Sequence, residues 1–187
     1  VLIARRQAEQ REAARRIHPE AQVHFLGEVD GELANTIELR GRVARVIRET
    51  TPDIVLGHDP WRRWRMHPDH RNAGFLTVDA VVAARDPHYH REHMADGLTY
   101  HRPRALLLFE CEEPDHVERI EQRHVDAKVK ALLAHESQFE TTMVIAADDD
   151  GTQAAAFRER TERKARTHGR IGGVGLGEAF RLMDPAS

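Results

Sequence analysis

A chain of 187 residues with 40% hydrophobic content is long enough for one domain with its own apolar core. Acids and bases nearly cancel, and a formal net charge of -3 gives no reason to expect a nucleic-acid partner. One cysteine, Cys111, excludes an internal disulfide framework and fits a reducing, cytoplasmic setting, while no stretch is apolar enough for a membrane span and no signal peptide opens the chain.

The first residues, "VLIARRQAEQREAARRI", carry an Arg/Glu-rich helical pattern over 3–17, with Ala8, Ala13, Ala14 and Ile17 available to a core. "QVHFLG", 22–27, reads as a short strand ending at Gly27. "IELRGRVARVIRETTPD" predicts a helix with Ile37, Val43, Val46 and Ile47 near one face, stopped by Pro52. "DIVLGHD", 53–59, is a short apolar run after a helix, the pattern of a buried parallel strand. "RNAGFLTVDAVVAARDP" predicts a helix ending before Pro87, and "RALLLFEC", 104–111, a second buried strand. The polar region 86–103 reads as an excursion or lid between them. A helix is expected from about Asp126 to Ser137, then either a strand or a helix start in "TTMVIAA", with the helix start preferred. Residues 151–168 are helical in pattern, and "GRIGGVGLGEAFRLM" is a glycine-rich turn leading into a final strand. Strands alternating with helices predict an α/β fold, a Rossmann-like sandwich with a largely parallel sheet.

In such a sheet, ligands sit beyond the carboxyl ends of the strands. The segment after "DIVLGHD" carries His67-Pro68-Asp69-His70, so this motif falls where the fold places chemistry. Neutral imidazole is a common zinc ligand, and a neighbouring imidazole or carboxylate can orient a ligand or donate to an oxyanion. Pro68 holds His67 extended and is expected to keep the motif out of a helix, so the two imidazoles can take different roles. The plainer reading is a polar loop in which Asp69 caps the next helix.

Other groups weigh differently. His58 and Asp59 can line a pocket, but a strand-end Asp more often satisfies loop amides. Trp61 and Trp64 with Arg62, Arg63 and Arg65 suit either a sugar- or anion-contacting rim or plain packing and solvated charge. His88, His90 and His93 lack a further ligand at metal spacing and read as a polar surface loop. His135 lies near a helix end, where it either complements the dipole or faces a pocket. "GGVGLG", 172–177, lacks the context of a dinucleotide site and reads as a tight turn.

Taken in order, Arg6-x-x-Glu9, "FLGEVDGEL" at 25–33, "ELR" at 38–40, "PDIVLGHDP" at 52–60, the His-Pro-Asp-His motif, "DAKVKALLAHESQ" at 126–138 and "GEAFRL" at 177–182 resemble the LmbE-like, or PIG-L, family of zinc-dependent N-deacetylases. The resemblance runs over nearly the whole chain and implies one such domain over 1–187. It implies a Zn2+-dependent hydrolase that removes an N-acetyl or other N-acyl group from a GlcNAc-like sugar. By that resemblance His70 matches a zinc ligand, and His67 a group that stabilises the oxyanion or protonates the leaving amine. Asp69 matches the acid that tunes the histidines. Arg6, Asp30 and His135 match substrate-side positions. The partner expected is a small N-acylated amino sugar, without nucleic acid or membrane span, and a homo-oligomer is left open. The family's other motif, His-Pro-Asp-Asp-Glu, supplies two further ligands and a base, and it is absent here. The expectation is that Val1 lies inside the domain and that these groups precede it. The alternative is a non-catalytic α/β module that holds a sugar or nucleotide.

Overall fold

The computed structural model describes residues 1–186. In chain order its main elements are α1 (Leu2–Ile17), α2 (Ile37–Thr50), β1 (Ile54–His58), α3 (Pro68–Arg85), α4 (Arg91–Ala95), β2 (Ala105–Phe109), β3 (His116–Arg119), α5 (Gln122–Leu132), α6 (Thr152–Ile171) and β4 (Gly177–Met183). The α/β class holds, with four strands in the order β1-β2-β4-β3. The sheet is mixed. β1 and β2 pair in parallel, with Ile54 opposite Ala105 and His58 opposite Phe109, whereas β4 runs antiparallel to β2. Two helices separate the parallel strands, as a parallel crossover requires.

The chain divides into two compact units. One joins Val1–Phe25 to Val117–Glu178. Here Ala13 of α1 packs on Ala131 and Ala134 at the end of α5, and Val125 and Val129 of α5 pack on Ala165 of α6. Ala8 and Ile17 are exposed instead of joining this core. Their place is taken by Glu9, whose carboxylate accepts the Ser137 backbone N–H at 2.9 Å and its hydroxyl at 2.5 Å. Burial pushes that carboxyl up, but the Ser137 hydrogen bonds and Arg5 outweigh it and hold it below its ordinary range. After α5 the chain makes a 3-10 turn at Glu136–Gln138 and a π turn at Phe139–Met143, so "TTMVIAA" is no strand.

The other unit spans Leu26–His116 and resumes at Ala179. Its core is the seam between α2 and α3, where Ala44 and Ile47 meet Ala80, Val81, Ala83 and Ala84. Such small side chains let the two helices approach closely. Thr36 caps α2 by accepting the Leu39 N–H at 3.2 Å. The strand expected at 22–27 does not form: the segment has no regular secondary structure and pairs with no strand among the described residues, and Gly27 turns with φ 82°. β1 is an edge strand with Ile54 and Leu56 exposed, so its apolar run is less buried than its composition suggests.

The polar region 86–103, expected as an excursion or lid with its three histidines in a surface loop, is wrapped around a buried cation. Arg48 is 2% exposed. Its guanidinium donates to the carbonyls of Ala83, Ala84, Asp86, Tyr89 and His90, and Nη1 lies 2.9 Å from His93 Nδ1. His93 is therefore a core histidine, because the arginine that fastens the loop also pulls its ring inward. Gly41 of α2 makes room for its neighbour: a Cβ there would stand 2.7 Å from His90 Nδ1.

Replacing Arg48 by Met strands at least three of those carbonyls and should cost about 3 kcal/mol, read as a lowered denaturation midpoint. An unchanged midpoint would mean that solvent satisfies them. Burial, then Arg48, pushes the His93 imidazole below its ordinary pKa. Unfolded His93 therefore binds its proton at a higher pH than the folded residue does. Its contribution to stability is present above the ordinary imidazole pKa and lost as pH falls through that range towards the folded value. In denaturation series from pH 7 down to 5, His93→Gln should flatten this slope.

Candidate metal centre and its histidine pair

The motif His67-Pro68-Asp69-His70 starts a helix. The expectation that Pro68 keeps it non-helical is corrected: Pro68 occupies the first helical position of α3, where its missing N–H costs nothing. His67, not Asp69, is the N-cap, with φ -70° and ψ 118°. The Asp69 backbone N–H donates to His67 Nδ1 at 3.3 Å. That contact fixes the neutral tautomer with its proton on Nε2, which faces Asp30 Oδ1 at 3.6 Å. The two motif imidazoles lie with ring centroids 5.0 Å apart, tilted by 37°.

Asp69 does not reach an imidazole with its carboxylate. Oδ2 accepts the Gly31 N–H at 2.7 Å, so the side chain holds the 28–33 loop, and Asp30 with it, against the helix start. Its other oxygen, Oδ1, is buried without a hydrogen-bond partner among the described residues.

His70, on the first turn of α3, meets two groups from the strand ends. Its ring lies 4.6 Å from that of His58, the last residue of β1. One ligand atom from each of His58, His70 and Glu110 falls within 4.8 Å of the others. Two imidazoles and one carboxylate are a zinc donor set, so the residues present fit such an ion. The parallel register explains Glu110: His58 pairs with Phe109, and Glu110 is the next residue at the same sheet end. Burial pushes the His58 pKa down to about 4, His70 and Arg65 act in the same direction, and Glu110 opposes them. His58 is thus a neutral base at ordinary pH. Arg65 Nη1 stands among the three groups, 3.2 Å from His58 Nδ1, 3.1 Å from His70 Nδ1 and 2.9 Å from Glu110 Oε2.

Sequence reasoning named His70 but gave His58 only a pocket-lining role, and did not single out Glu110. The available signal was an acid directly after a buried strand that follows another strand ending in His.

A second group, His90, Glu92 and His93, also lies within metal-ligand distances. Arg48 argues against a metal there. By donating to His93 Nδ1 it leaves the neutral ring's proton on Nε2, the atom that would have to bind the ion. Asp59 takes the structural role anticipated for it, accepting the Trp61 N–H at 2.9 Å. Trp61, Arg62 and Arg63 line a cavity with Cys111 and Arg181, but Arg63 pairs with Glu112 at 2.9 Å and Arg62 lies 3.7 Å from Glu110. Trp64 stands 92% exposed.

Arg6 and His135 belong to the other unit, on α1 and just before the 3-10 turn. Arg6 lies three residues before Glu9 and His135 two before Ser137, the pair in contact, and His135 Nδ1 is buried without a partner among the described residues.

The family model described as PIG-L, GlcNAc-PI de-N-acetylase, matches residues 1–81, which include the His-Pro-Asp-His motif. Diacetylchitobiose deacetylase of Thermococcus kodakarensis is 36% identical over 137 residues, covering 73% of this chain and 51% of that protein. The chain thus spans about half the length of the curated relative it matches. Among solved structures, N,N'-diacetylchitobiose deacetylase from Pyrococcus horikoshii superposes with a TM-score of 0.80 at 28% identity, over 98% of this chain and 64% of that one. A conserved protein from Thermus thermophilus gives 0.72 at 26% identity, over 97% and 74%.

Asp69→Ala should leave α3 folded but free the Gly31 amide, whose hydrogen exchange would rise several-fold for the loss of about 1 kcal/mol. Unchanged exchange at Gly31 would show that other contacts hold the 28–33 loop.

Proposed function

We propose that this chain, which belongs to the LmbE-like (PIG-L) family of deacetylases, forms part of a zinc-dependent hydrolase that removes the acetyl group from an N-acetylglucosamine-like sugar. The observation that carries the reading is the convergence of His58, His70 and Glu110 beside a His67 whose proton is fixed on one nitrogen. Two of the three similar proteins named above are diacetylchitobiose deacetylases, which supports the substrate class.

His70 would be one ligand of the zinc ion; the resemblance puts two others in a His-Pro-Asp-Asp-Glu motif, and His58 and Glu110 are donors that lie beside His70 here. When bound, the ion supplies Lewis acidity, lowering the pKa of water and polarising an acyl oxygen. The remaining work falls to protein groups. His67 presents an Nε2 proton to a developing oxyanion or to the leaving amine. A neutral ring serves the first role as a donor. The second role would need a further proton on Nδ1, which the ring could hold only by giving up the Asp69 N–H, so the observed contact favours the first. Asp30 is three-quarters exposed, so it can accept sugar hydroxyls. Asp69 is a positioning residue, because it fixes the loop that presents Asp30 and supplies the backbone N–H that sets the His67 tautomer. For Arg6 and His135 the substrate-contact role rests on the family resemblance alone.

The test is acetate release from diacetylchitobiose or N-acetylglucosamine by the protein that carries this chain, with zinc content measured in parallel. His67→Ala should lower turnover by about 100-fold and keep its zinc. His70→Ala should lose the metal and the activity together. Full amidase activity in both variants would overturn the assignment.

A further inference from the structure

Resting on the deacetylase reading above, we propose that the cavity walled by Trp61 is a subsite for a second, uncharged sugar ring, so that the protein prefers an N-acetylated disaccharide to a monosaccharide or to a sugar that carries a phosphate. The cavity measures about 410 Å³, within the range of small-molecule sites. Its walls all belong to the unit built around β1 and β2. Asp59 directly follows β1, and Cys111 stands two residues beyond the end of β2. The carboxyl ends of parallel strands are where an open α/β sheet binds its ligands.

The cavity adjoins the groups of the candidate site. Arg62 lines it, and its guanidinium lies 3.7 Å from Glu110 Oε2. Arg65 Nη1 links that same oxygen, at 2.9 Å, to His70 Nδ1, at 3.1 Å. A short chain of polar contacts thus joins the cavity wall to the His-Pro-Asp-His motif, and a substrate longer than one ring meets this wall next.

The lining selects the kind of ligand. It holds three arginines, Arg62, Arg63 and Arg181, and three carboxylates, those of Asp59, Glu112 and Glu113. Every one of these arginines has an acidic partner: Arg63 pairs with Glu112 at 2.9 Å, Arg181 with Asp115 at 3.2 Å, and Arg62 with Glu110. A phosphate entering here would find no uncommitted cation and would face carboxylates, so its lost hydration would go uncompensated. A neutral sugar meets the opposite situation. Guanidinium and carboxylate groups side by side offer donors and acceptors together, and each sugar hydroxyl can both donate and accept. Trp61 supplies an apolar face for the carbons of the ring. Its indole stands at 85° to the ring of Phe75 on α3, with centroids 5.9 Å apart, and remains 55% exposed. An aromatic ring held in place on one side and left open on the other is a preorganised contact surface. By sequence, the tryptophans and arginines of 61–65 suit a sugar or an anion equally; the ion pairs favour the sugar.

The experiment compares acetate release from diacetylchitobiose, N-acetylglucosamine and N-acetylglucosamine 1-phosphate by the protein that carries this chain, with binding of each measured by calorimetry on the same preparations. The KM for diacetylchitobiose should lie about tenfold or more below that for N-acetylglucosamine, and the phosphate should bring no gain. Trp61→Ala should raise the disaccharide KM about tenfold at unchanged kcat, the mark of lost uniform binding, and leave both constants for the monosaccharide as they were. Arg63→Met, which removes an exposed ion pair, should act in the same direction and serves alone where Trp61→Ala fails to fold by circular dichroism. Equal KM values for the two sugars in the unaltered protein, no rise in the variants, or a rise shared by both sugars would overturn the subsite. A lower KM for the 1-phosphate than for the disaccharide would overturn its neutral character. Should no substrate release acetate while diacetylchitobiose still binds more tightly than the monosaccharide, and Trp61→Ala removes the difference, the deacetylase reading falls and the sugar site stands. Should neither sugar bind, both fall.

Discussion

The histidine cluster depends on how closely α3 lies against β1. Two glycines make that approach possible. At Gly74 a Cβ would stand 2.6 Å from the His58 carbonyl oxygen, and at Gly57 one would stand 2.8 Å from Thr77 Cγ2. Both distances are below those of real side-chain contacts, so a larger residue at either position would push the helix off the strand. Gly74 lies one turn beyond His70 on α3, and Gly57 immediately precedes His58 on β1. The closest backbone contact therefore sits beside the two imidazoles. It brings their rings to 4.6 Å and leaves Phe109 to close the other side of His58 at 4.4 Å. Gly74 in a helix interior costs about 1 kcal/mol relative to alanine. The tight seam between α2 and α3 holds α3 from its other side and offsets that cost.

The same unit uses arginine in two ways, and the difference lies in how completely each guanidinium is satisfied. Arg48 is enclosed by carbonyl oxygens from the end of α3 and the loop after it, together with one imidazole. It substitutes for the backbone hydrogen bonds that an irregular loop cannot make for itself. Arg65 has two imidazoles and a carboxylate, all on one nitrogen. Neutral carbonyls suit a fixed cation with several donors. A converging set of imidazole and carboxylate lone pairs suits any cation, and a compact divalent one best. The first arrangement uses every guanidinium nitrogen, and the second leaves two of three without a partner among the described residues.

The helices and the strands flanking the site were legible because apolar periodicity and Pro or Gly punctuation coincide in α2, α3, β1 and β2. The motif at 67–70 was legible as chemistry but misread as local structure. Proline was taken as a helix breaker, although at a first helical position it favours a helix and leaves the preceding His to cap it. The strand read into 22–27 failed because an alternating pattern forms a strand only beside a partner, and among the described residues no strand pairs with that segment. Glu110 and the full part of His58 were hidden because they depend on strand register, which brings residues 52 positions apart in the chain to one sheet end. The burial of His93 was hidden for a related reason: its cause is Arg48, 45 residues away on another helix. Composition around a residue reports its neighbours in sequence, and each of these misses turns on a neighbour in space.

The order of residues in His67-Pro68-Asp69-His70 also explains why one motif can give two histidines different work. Pro68 starts the helix, so His67 remains outside it and His70 lies within its first turn. His67 then has a helix-terminal N–H within reach of Nδ1, and that contact leaves Nε2 as the proton-bearing atom. His70 has no such constraint from the helix end, and its Nδ1 turns to the strand side, where His58 and Glu110 wait. One ring is thus set to present a proton and the other to present a lone pair, although three positions separate them. A helix that began two residues earlier would put both rings within it, and the division would be lost. The division follows from where the helix begins, and no further residue is needed to impose it.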